Sequence, residues 1–202
     1  MTHHELRRFD TAEDAAQAAA GFLLDEAVSL ARPCSVALSG GRTPTAMFDV
    51  LAALPLPWER ITLLQVDERV APDGDDARNL THLEASLAGV PATIEPMEVT
   101  AFDLEAAAAR YAATLPARLD VVHLGLGPDG HTASLVPGDP VLDVTDRLVA
   151  LTEPYQGTRR MTLTYPALAR ADRLLWLVAG ADKREALQRL LDGDASIPAG
   201  RV

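Results

Sequence analysis

The chain has 202 residues, of which 48% are hydrophobic, so it is long enough for one domain with a sizeable core. Its formal net charge of −11 at pH 7 argues against nucleic acid as the main partner, because contacts to phosphates require clustered Lys and Arg. No apolar run approaches the roughly 18 residues that a membrane span requires, which argues against a membrane protein.

The cysteine content and the start of the chain indicate the compartment. Cys34 is the single cysteine, so no intrachain disulfide can form, and a reducing compartment is the default. The stretch from Met1 to Glu5 lacks the basic start and apolar centre of a signal peptide. We therefore expect a cytoplasmic protein, a monomer or weak homodimer, that binds neither nucleic acid nor a membrane.

The predicted elements of the first half alternate between strands and helices. In chain order they are a short edge strand at 6–9, a helix over 12–31 capped by Asp10 or Thr11, a strand at 35–38, a helix over 44–53 capped by Thr43, a central strand at 61–66, a helix that begins near Asn79 or Thr81, and a short strand at 93–94. Pro44 fits the first position of its helix, where its missing N–H would have no partner in any case.

The second half continues this alternation. Its predicted elements are a helix to about Thr114 capped by Asp103, a strand at 120–124, strands at 148–151 and 161–164, a buried strand at 173–178 and a last helix over 182–191. Strands that alternate with helices predict a mostly parallel sheet with helices on both faces, a Rossmann-like α/β fold. Neither a repeat nor a linker interrupts the chain, so residues 1–202 are predicted to form a single domain.

Four polar or glycine-rich segments follow predicted strands directly. They are Ser39-Gly40-Gly41-Arg42, Asp67-Glu68-Arg69, Gly125 to His131, and Gly180 to Lys183. The carboxyl ends of parallel strands lie at one edge of the sheet, and ligands of such sheets bind there. The sequence therefore predicts that the four segments meet in a single cleft.

The first of these segments, extended to Thr43, is predicted to bind an anion. It leads from a strand into a helix, whose N-terminus offers free N–H groups and the positive end of the helix dipole. Glycines let an anion approach the backbone, and the hydroxyls of Ser39 and Thr43 can donate to it. The Gly-Lys-Ser/Thr ending of a nucleotide-binding P-loop is absent. A tight turn with an ordinary cap is the structural alternative.

The glycine-rich segment formally matches a dinucleotide fingerprint, Gly125-x-Gly127-x-x-Gly130. That fingerprint requires a long helix after the third glycine. Here Pro137 follows within seven positions, so we do not expect a nicotinamide cofactor.

Next to these glycines, His131 is the candidate general base. An imidazole suits proton transfer near neutrality, and Asp129 lies two residues before it. A structural histidine that satisfies loop carbonyls is the alternative, but the glycine setting favours a functional role. His123, inside a predicted strand, is interpreted as a core residue, and no spacing of ligands resembles a zinc site.

Two further groups have both a catalytic and a structural interpretation. Ser134 lies near His131 and Asp129, but residues so close in sequence rarely form a triad, and no Gly-x-Ser-x-Gly elbow is present. We therefore favour water activated by His131 over a covalent serine. Asp67 and Arg69 could form a surface ion pair, but their place at the end of a strand favours contact with a substrate.

The motifs together resemble the glucosamine-6-phosphate isomerase/6-phosphogluconolactonase family, and within it the 6-phosphogluconolactonases. The matching segments occur in family order between about residues 35 and 191: Ser39 to Pro44, Asp67 to Arg69 with Asn79, Gly125 to Ser134, and Gly180 to Lys183. The resemblance implies an isomerase/deaminase-like α/β fold. It also implies hydrolysis of 6-phospho-D-glucono-1,5-lactone to 6-phospho-D-gluconate in the oxidative pentose phosphate pathway, without a metal or other cofactor.

The resemblance also implies roles for individual residues. The residues expected to bind the phosphorylated sugar lactone are Ser39, Gly40, Gly41, Arg42, Thr43, Gly127, Gly130, Arg160 and Lys183. The residues expected to act in catalysis are His131, Asp129, Arg69 and Asp67. In these roles His131 deprotonates water, Asp129 orients His131, and Arg69 or loop N–H groups stabilise the oxyanion.

Two alternatives stay open. Glucosamine-6-phosphate deaminase shares the fold and the Asp-Gly-His run, but that family continues into Phe-Asn-Glu-Pro, whereas the run from Ser134 to Pro137 contains no Glu. A sugar-phosphate-binding regulator that has lost its chemistry is the other alternative, and the presence of His131 argues against it. The chain also departs from the lactonases at Arg78, where Ser is usual, and at Val136, where Phe is common.

Overall fold

The computed structural model describes residues 5–202, over which strands and helices alternate. The strands in this range are β1 Cys34–Leu38, β2 Ile61–Gln65, β3 Asp67–Arg69, β4 Thr93–Glu95, β5 Leu119–Leu124, β6 Val149–Leu151, β7 Arg160–Leu163 and β8 Ala171–Trp176. The α-helices are α1 Ala12–Ser29, α2 Arg42–Ala53, α3 Asn79–Ser86, α4 Leu104–Thr114, α5 Tyr165–Leu168 and α6 Arg184–Leu191. Short 3-10 turns lie at Trp58–Arg60, Pro140–Asp143, Ala181–Lys183 and Pro198–Arg201.

Five parallel strands form the main sheet in the order β4-β2-β1-β5-β8. The central strand is β1, in which Ala37 lies opposite Leu64 of β2 on one side and Val122 of β5 on the other. Because the strands are parallel, their carboxyl ends lie at one edge, as predicted. The α/β fold class predicted from the sequence is confirmed.

The two faces of this sheet pack against different cores. Val36 and Leu38 pack in one core with α1, α2 and α3, whereas Ala37 between them belongs to a second core with α4, α5 and β7. This alternation is the period of two that a strand buried on both faces requires. Within residues 5–202, no helix is long and apolar enough to cross a membrane.

A second, antiparallel sheet in the order β3-β7-β6 lies beyond the end of β2. The chain passes from β2 through Val66, whose carbonyl accepts from the Leu163 N–H at 2.8 Å, and then enters β3. The sequence predicted β6 and β7 but placed Asp67–Arg69 at the end of the strand at 61–66 and not in a strand of their own. These residues instead form a strand because β7, almost 100 residues later in the chain, pairs with them.

Local signals predicted two helix starts correctly. The Thr11 hydroxyl accepts from the Asp14 N–H at 3.0 Å and caps α1, and Asp103 accepts from the Ala106 N–H at 3.0 Å and caps α4. The predicted cap of α2 is wrong, because that helix begins at Arg42 and no side chain caps it.

Three other predictions of secondary structure are also corrected. Residues 6–9 are exposed and form no strand. The strand predicted as central, now β2, is the neighbour of the central strand β1. β8 is predicted as buried but is an edge strand with Asp172, Arg173 and Leu174 exposed, because in the described chain no strand pairs with its outer side. Charged residues on such an edge disfavour pairing with other chains.

A buried carboxylate from β3 caps α3. Glu68 accepts from the N–H groups of Asn79 and Leu80, each at 2.8 Å, and also from the side-chain amide of Gln65 at 2.8 Å. A negative charge at a helix N-terminus interacts favourably with the helix dipole. Arg78, the departure from the family's usual Ser, lies buried with its Nε 3.6 Å from Glu68. Glu68 thus replaces a local cap and fixes α3 against β3.

We expect Glu68→Gln to lower the free energy of unfolding by about 2–4 kcal/mol, because an amide group cannot accept at both of its ends from these buried donors. Urea denaturation measures the change. Glu84→Gln, on an exposed part of the same helix, is the matched control and should change the free energy of unfolding by less than about 0.5 kcal/mol. Equal stability of the two variants would contradict the assigned role of Glu68.

Candidate active site

Direct contacts join three of the segments predicted to meet at the sheet edge. The Ser134 hydroxyl donates to Asp67 Oδ2 at 2.6 Å, which ties the segment after β5 to β3. The Asn79 amide donates to the Asp67 carbonyl at 2.9 Å. The Asn79 side chain also lies so close to Gly40 that a Cβ at Gly40 would collide with it. The segments after β1, β2 and β5 therefore form one contiguous surface, as the topology predicted.

His131 lies at this edge as part of a hydrogen-bonded group. Its Nδ1 is 2.6 Å from Asp129 Oδ1, and the hydroxyl of Tyr155 donates to Asp129 Oδ2 at 3.2 Å. The rings of His131 and Tyr155 meet edge to face, with centroids 5.7 Å apart. Among the described residues, no hydrogen bond reaches His131 Nε2, and the side chain is 22% exposed. The ring is thus oriented by one nitrogen and open at the other.

Glycines make this arrangement possible. The Gly127 N–H donates to the His131 carbonyl at 2.8 Å, and a Cβ at Gly127 would collide with the His131 ring. Gly130 has φ +83°, a backbone conformation that side chains disfavour, and it packs directly against Ile197. The turn from Gly127 to Gly130 is so tight that neither position has space for a side chain.

The charge on Asp129 favours the tautomer of His131 that carries its proton on Nδ1. Partial burial acts to raise the pKa of Asp129, but the hydrogen bonds and charge of His131, together with Tyr155, hold that pKa below its ordinary value. The carboxylate is therefore ionised near neutrality and favours a proton on His131 Nδ1. The lone pair of Nε2 then points outward, where it can accept a proton from water or a substrate.

Arg69 and Arg160 lie directly opposite each other where β3 pairs with β7. Arg69 Nη1 donates to the Ala77 carbonyl at 2.7 Å and to Asn79 Oδ1 at 2.8 Å. In the described chain, neither arginine has a carboxylate within salt-bridge distance, so the surface ion pair between Asp67 and Arg69 is absent. Two guanidinium groups at one place, without paired carboxylates, can attract an anion.

Arg160 is nearly buried, and its surroundings are aromatic and polar. Its guanidinium carbon lies 5.0 Å from the centre of the Tyr155 ring, and Nη2 is 3.4 Å from Gln156 Oε1. Its Nε is buried, and no residue between 5 and 202 provides a hydrogen-bond partner for it. Burial lowers the pKa of Arg160, and the charge of Asp67 opposes this effect. The side chain thus retains hydrogen-bonding capacity for a ligand.

The predicted anion-binding turn lies at the N-terminus of α2. Gly41 has φ +121° immediately before the helix, and no side chain in the described part of the chain caps the first N–H groups. Ser39 is buried, and its hydroxyl has no hydrogen-bond partner among the residues that the structure describes. Arg42 is exposed and Thr43 half-buried. Uncapped N–H groups beside an unpartnered hydroxyl are suited to an anion.

Lys183 lies at the same edge after β8, but the structure does not bring it into contact with the other predicted site residues. Its ammonium group pairs with Asp182 at 3.1 Å. The connection to the glycine turn is apolar: Leu126 and Ile197 pack with Ala186 of α6, three residues beyond Lys183. Lys183 therefore lies at the edge of the candidate site, apart from the other predicted binding residues.

The other candidate residues have structural roles. Ser134 is fully buried and its hydroxyl donates a hydrogen bond to Asp67, so it is not an available nucleophile for His131. His123 is fully buried in β5, and burial lowers its pKa to about 4, so it is neutral in the core as predicted. Over residues 5–202, no group of three or more His, Cys, Asp or Glu side chains could hold a metal ion.

Comparison with known proteins shows the family. Residues 10–202 match the model of the family described as glucosamine-6-phosphate isomerases/6-phosphogluconolactonase. The chain belongs to this family. A 6-phosphogluconolactonase of Synechocystis is 40% identical over 176 residues, which are 80% of this chain and 72% of the relative. The crystal structure of 6-phosphogluconolactonase from Thermotoga maritima has a TM-score of 0.86 and 28% identity, covering 96% of this chain and 92% of that one.

The same fold also occurs in the other branch of the family. A monomeric glucosamine-6-phosphate deaminase has a TM-score of 0.84 at 21% identity, covering 98% of this chain and 92% of that one, a likeness that shows the fold alone. In this chain, Leu135 and Val136, which follow the Asp-Gly-His run closely, are buried apolar residues.

The sequence did not point to Tyr155, which contacts both Asp129 and Arg160. Pro154 and Gly157 flank it between two predicted strands, and that pattern is typical of a hairpin turn. The hairpin was therefore predictable. Its position over His131 was not, because it depends on how the second sheet packs against the glycine turn.

We expect Gly127→Ala to displace the His131 ring and to lower the free energy of unfolding by about 1–3 kcal/mol, because the new methyl group has no space. The hydrogen-bonded imidazole N–H signal of His131 should disappear from the proton NMR spectrum. Gly21→Ala, in α1 with open space around the new Cβ, is the control and should retain the signal. Retention of the signal in Gly127→Ala would contradict the tight turn described here.

Proposed function

We propose that this protein hydrolyses 6-phospho-D-glucono-1,5-lactone to 6-phospho-D-gluconate in the oxidative pentose phosphate pathway. The observation that carries the proposal is the Asp129–His131 pair, whose open Nε2 lies at a sheet edge that also holds two arginines without paired carboxylates. The identity to a 6-phosphogluconolactonase supports the same reaction. The substrate is thus a small, anionic lactone.

In the proposed mechanism, His131 acts first as a base. Its Nε2 removes a proton from water while the water oxygen forms a bond to the lactone carbonyl carbon, and the carbonyl oxygen becomes an oxyanion. The tetrahedral intermediate then collapses, the bond from this carbon to the ring oxygen breaks, and imidazolium His131 returns its proton to the ring oxygen. These steps use side chains and water alone. Asp129 orients the ring and stabilises the imidazolium.

Stabilisation of the oxyanion is assigned to Arg69 or to N–H groups of the glycine turn. Arg69 is held through a single nitrogen by Ala77 and Asn79, which leaves its other N–H groups for a ligand. Asp67 stabilises this site in two ways. Its carboxylate accepts the hydrogen bond of Ser134, and its negative charge balances the positive charges of Arg69 and Arg160.

Phosphate recognition is assigned to the turn at the start of α2 with Arg160 and Lys183. The uncapped N–H groups at the start of α2, together with the buried hydroxyl of Ser39 that has no partner within residues 5–202, support an anion there. This local positive potential would operate inside a chain with a net charge of −11, because nearby charges dominate over distant, screened ones.

The single cysteine of the chain bears on the compartment in which the protein acts. Cys34, the single cysteine, is buried in β1, and burial raises its pKa to about 11, so the thiol is inert. A chain with a single cysteine is typical of a reducing compartment, and we propose the cytoplasm as the place of action. We propose a monomer or weak homodimer.

The first test concerns His131. We expect His131→Asn to lower kcat by about 10²–10⁴, because asparagine keeps a hydrogen bond but cannot carry the proton. Acid release from freshly made lactone measures the rate, after subtraction of spontaneous hydrolysis. The matched control is His82→Asn, which changes a histidine of α3 that contacts the Asp76 carbonyl. Near-normal activity of His131→Asn would assign the base to another group.

The second test concerns the phosphate. Lys183 is the single lysine of the chain, so its acetylation can be followed by mass spectrometry without competing side chains. We expect 6-phosphogluconate to protect it, and Lys183→Ala to raise KM more than it lowers kcat, because phosphate contacts are mostly uniform binding. Arg184→Ala, an exposed neighbour, is the control. Equal turnover of unphosphorylated gluconolactone would contradict this assignment.

A further inference from the structure

We propose that Tyr155 is a positioning residue for the reaction, which holds the carboxylate of Asp129, the imidazole of His131 and the guanidinium of Arg160 in one arrangement. The inference rests on the proposed function and adds a residue outside the motifs that define the site. Neither Tyr155 nor its hairpin belongs to the strand-end segments that the sequence singled out.

Three separate contacts converge on the Tyr155 side chain. Its hydroxyl donates to Asp129 Oδ2 at 3.2 Å, and its ring meets the His131 ring at a centroid distance of 5.7 Å and an angle of 67°. Its ring face lies 5.0 Å from the guanidinium carbon of Arg160. One side chain thus contacts the proposed base, the carboxylate that orients the base, and a proposed phosphate ligand.

The backbone holds Tyr155 at the tip of the hairpin between β6 and β7. Its N–H donates to the Thr158 carbonyl at 3.0 Å, and the Thr158 N–H donates back at 3.4 Å. Between them, Gln156 and Gly157 have positive φ values of 52° and 89°. A two-residue turn of this kind defines the direction in which the tyrosine leaves the backbone.

The hydroxyl of Tyr155 donates a hydrogen bond to Oδ2 of Asp129, the carboxylate oxygen that His131 does not contact. Asp129 is 36% exposed, and both of its hydrogen bonds to His131, from the ring Nδ1 at 2.6 Å and from the backbone N–H at 3.2 Å, are made through Oδ1, which leaves Oδ2 without a partner from that residue. A second donor at the other oxygen fixes the plane of the carboxylate and, through it, the plane of the imidazole. Partial burial and the charge of Asp129 raise the pKa of Tyr155, so the hydroxyl remains a donor at neutral pH.

The ring of Tyr155 has a second effect, on Arg160. A guanidinium over an aromatic face is attracted by the ring quadrupole, most strongly where water is excluded. Arg160 is nearly buried, and no carboxylate of residues 5–202 lies within salt-bridge distance of it, so the ring contributes to its stabilising environment together with the more distant charge of Asp67. The hydroxyl and the ring should therefore affect different kinetic constants.

Two substitutions separate these effects in lactone hydrolysis. Tyr155→Phe keeps the ring and removes the hydroxyl, so kcat should fall about 3- to 10-fold, the rate equivalent of one hydrogen bond, with KM changed less than about twofold. Tyr155→Leu removes both, so KM should also rise at least about threefold. Tyr165→Phe is the matched control, because Tyr165 donates to the Pro198 carbonyl and lies over Arg201 in the same manner.

A measurement without substrate separates this inference from the proposed function. Nitrogen-15 NMR of the imidazoles reports which ring nitrogen of His131 carries the proton, with assignment by His131→Asn. The wild type and Tyr165→Phe should show the form protonated at Nδ1, and Tyr155→Phe should show a mixture of the two forms. Such a mixture would support the positioning role even if the wild type did not hydrolyse the lactone.

Either of two results would overturn the role. One is a Tyr155→Phe variant with wild-type kcat and a wild-type imidazole spectrum. The other is an equal change of kcat and spectrum in Tyr155→Phe and Tyr165→Phe, since this would mark a general effect of losing a tyrosine hydroxyl.

Discussion

The buried carboxylate of Asp67 is the interaction on which the arrangement of the site depends. It accepts the Ser134 hydroxyl at 2.6 Å and so ties the turn after β5 to the strand that follows β2. The side chain is 5% exposed, and removing a carboxylate from water is costly unless charge and hydrogen bonds compensate. Burial raises the pKa of Asp67, whereas the Ser134 hydroxyl and the positive charges of Arg69 and Arg160 oppose that rise.

The compensation of the Asp67 charge by Arg69 and Arg160 gives these two arginines two roles in the proposed account. In the free protein, Arg69 and Arg160 compensate a buried anion without forming a close ion pair with it, and so their guanidinium groups remain able to bind a second anion. A site of this kind can attract a phosphorylated substrate although the chain carries a net charge of −11. The same anion, through Ser134, fixes the turn that presents Asp129 and His131. In the proposed account, one buried carboxylate therefore connects the residues assigned to binding with those assigned to catalysis.

The parts of the structure that depend on neighbours in sequence were predictable. The apolar runs of β1 and β5, the cap at Asp103 and the glycine turn before His131 follow from local patterns, and parallel topology places their ends together. The remaining features required distant partners. β3 forms only because β7 pairs with it, and α3 takes its cap from Glu68, while Arg78 occupies the local cap position. No local pattern contains that information.

The most direct measurement of the central claim uses the purified protein with two substrates of the family. We predict acid release from freshly made 6-phospho-D-glucono-1,5-lactone well above the spontaneous rate, and no ammonia from glucosamine 6-phosphate. Hydrolysis at the spontaneous rate would contradict the assignment of His131 as a base. Release of ammonia would place the chain in the deaminase branch of the family, although its sequence carries no Glu between His131 and Pro137.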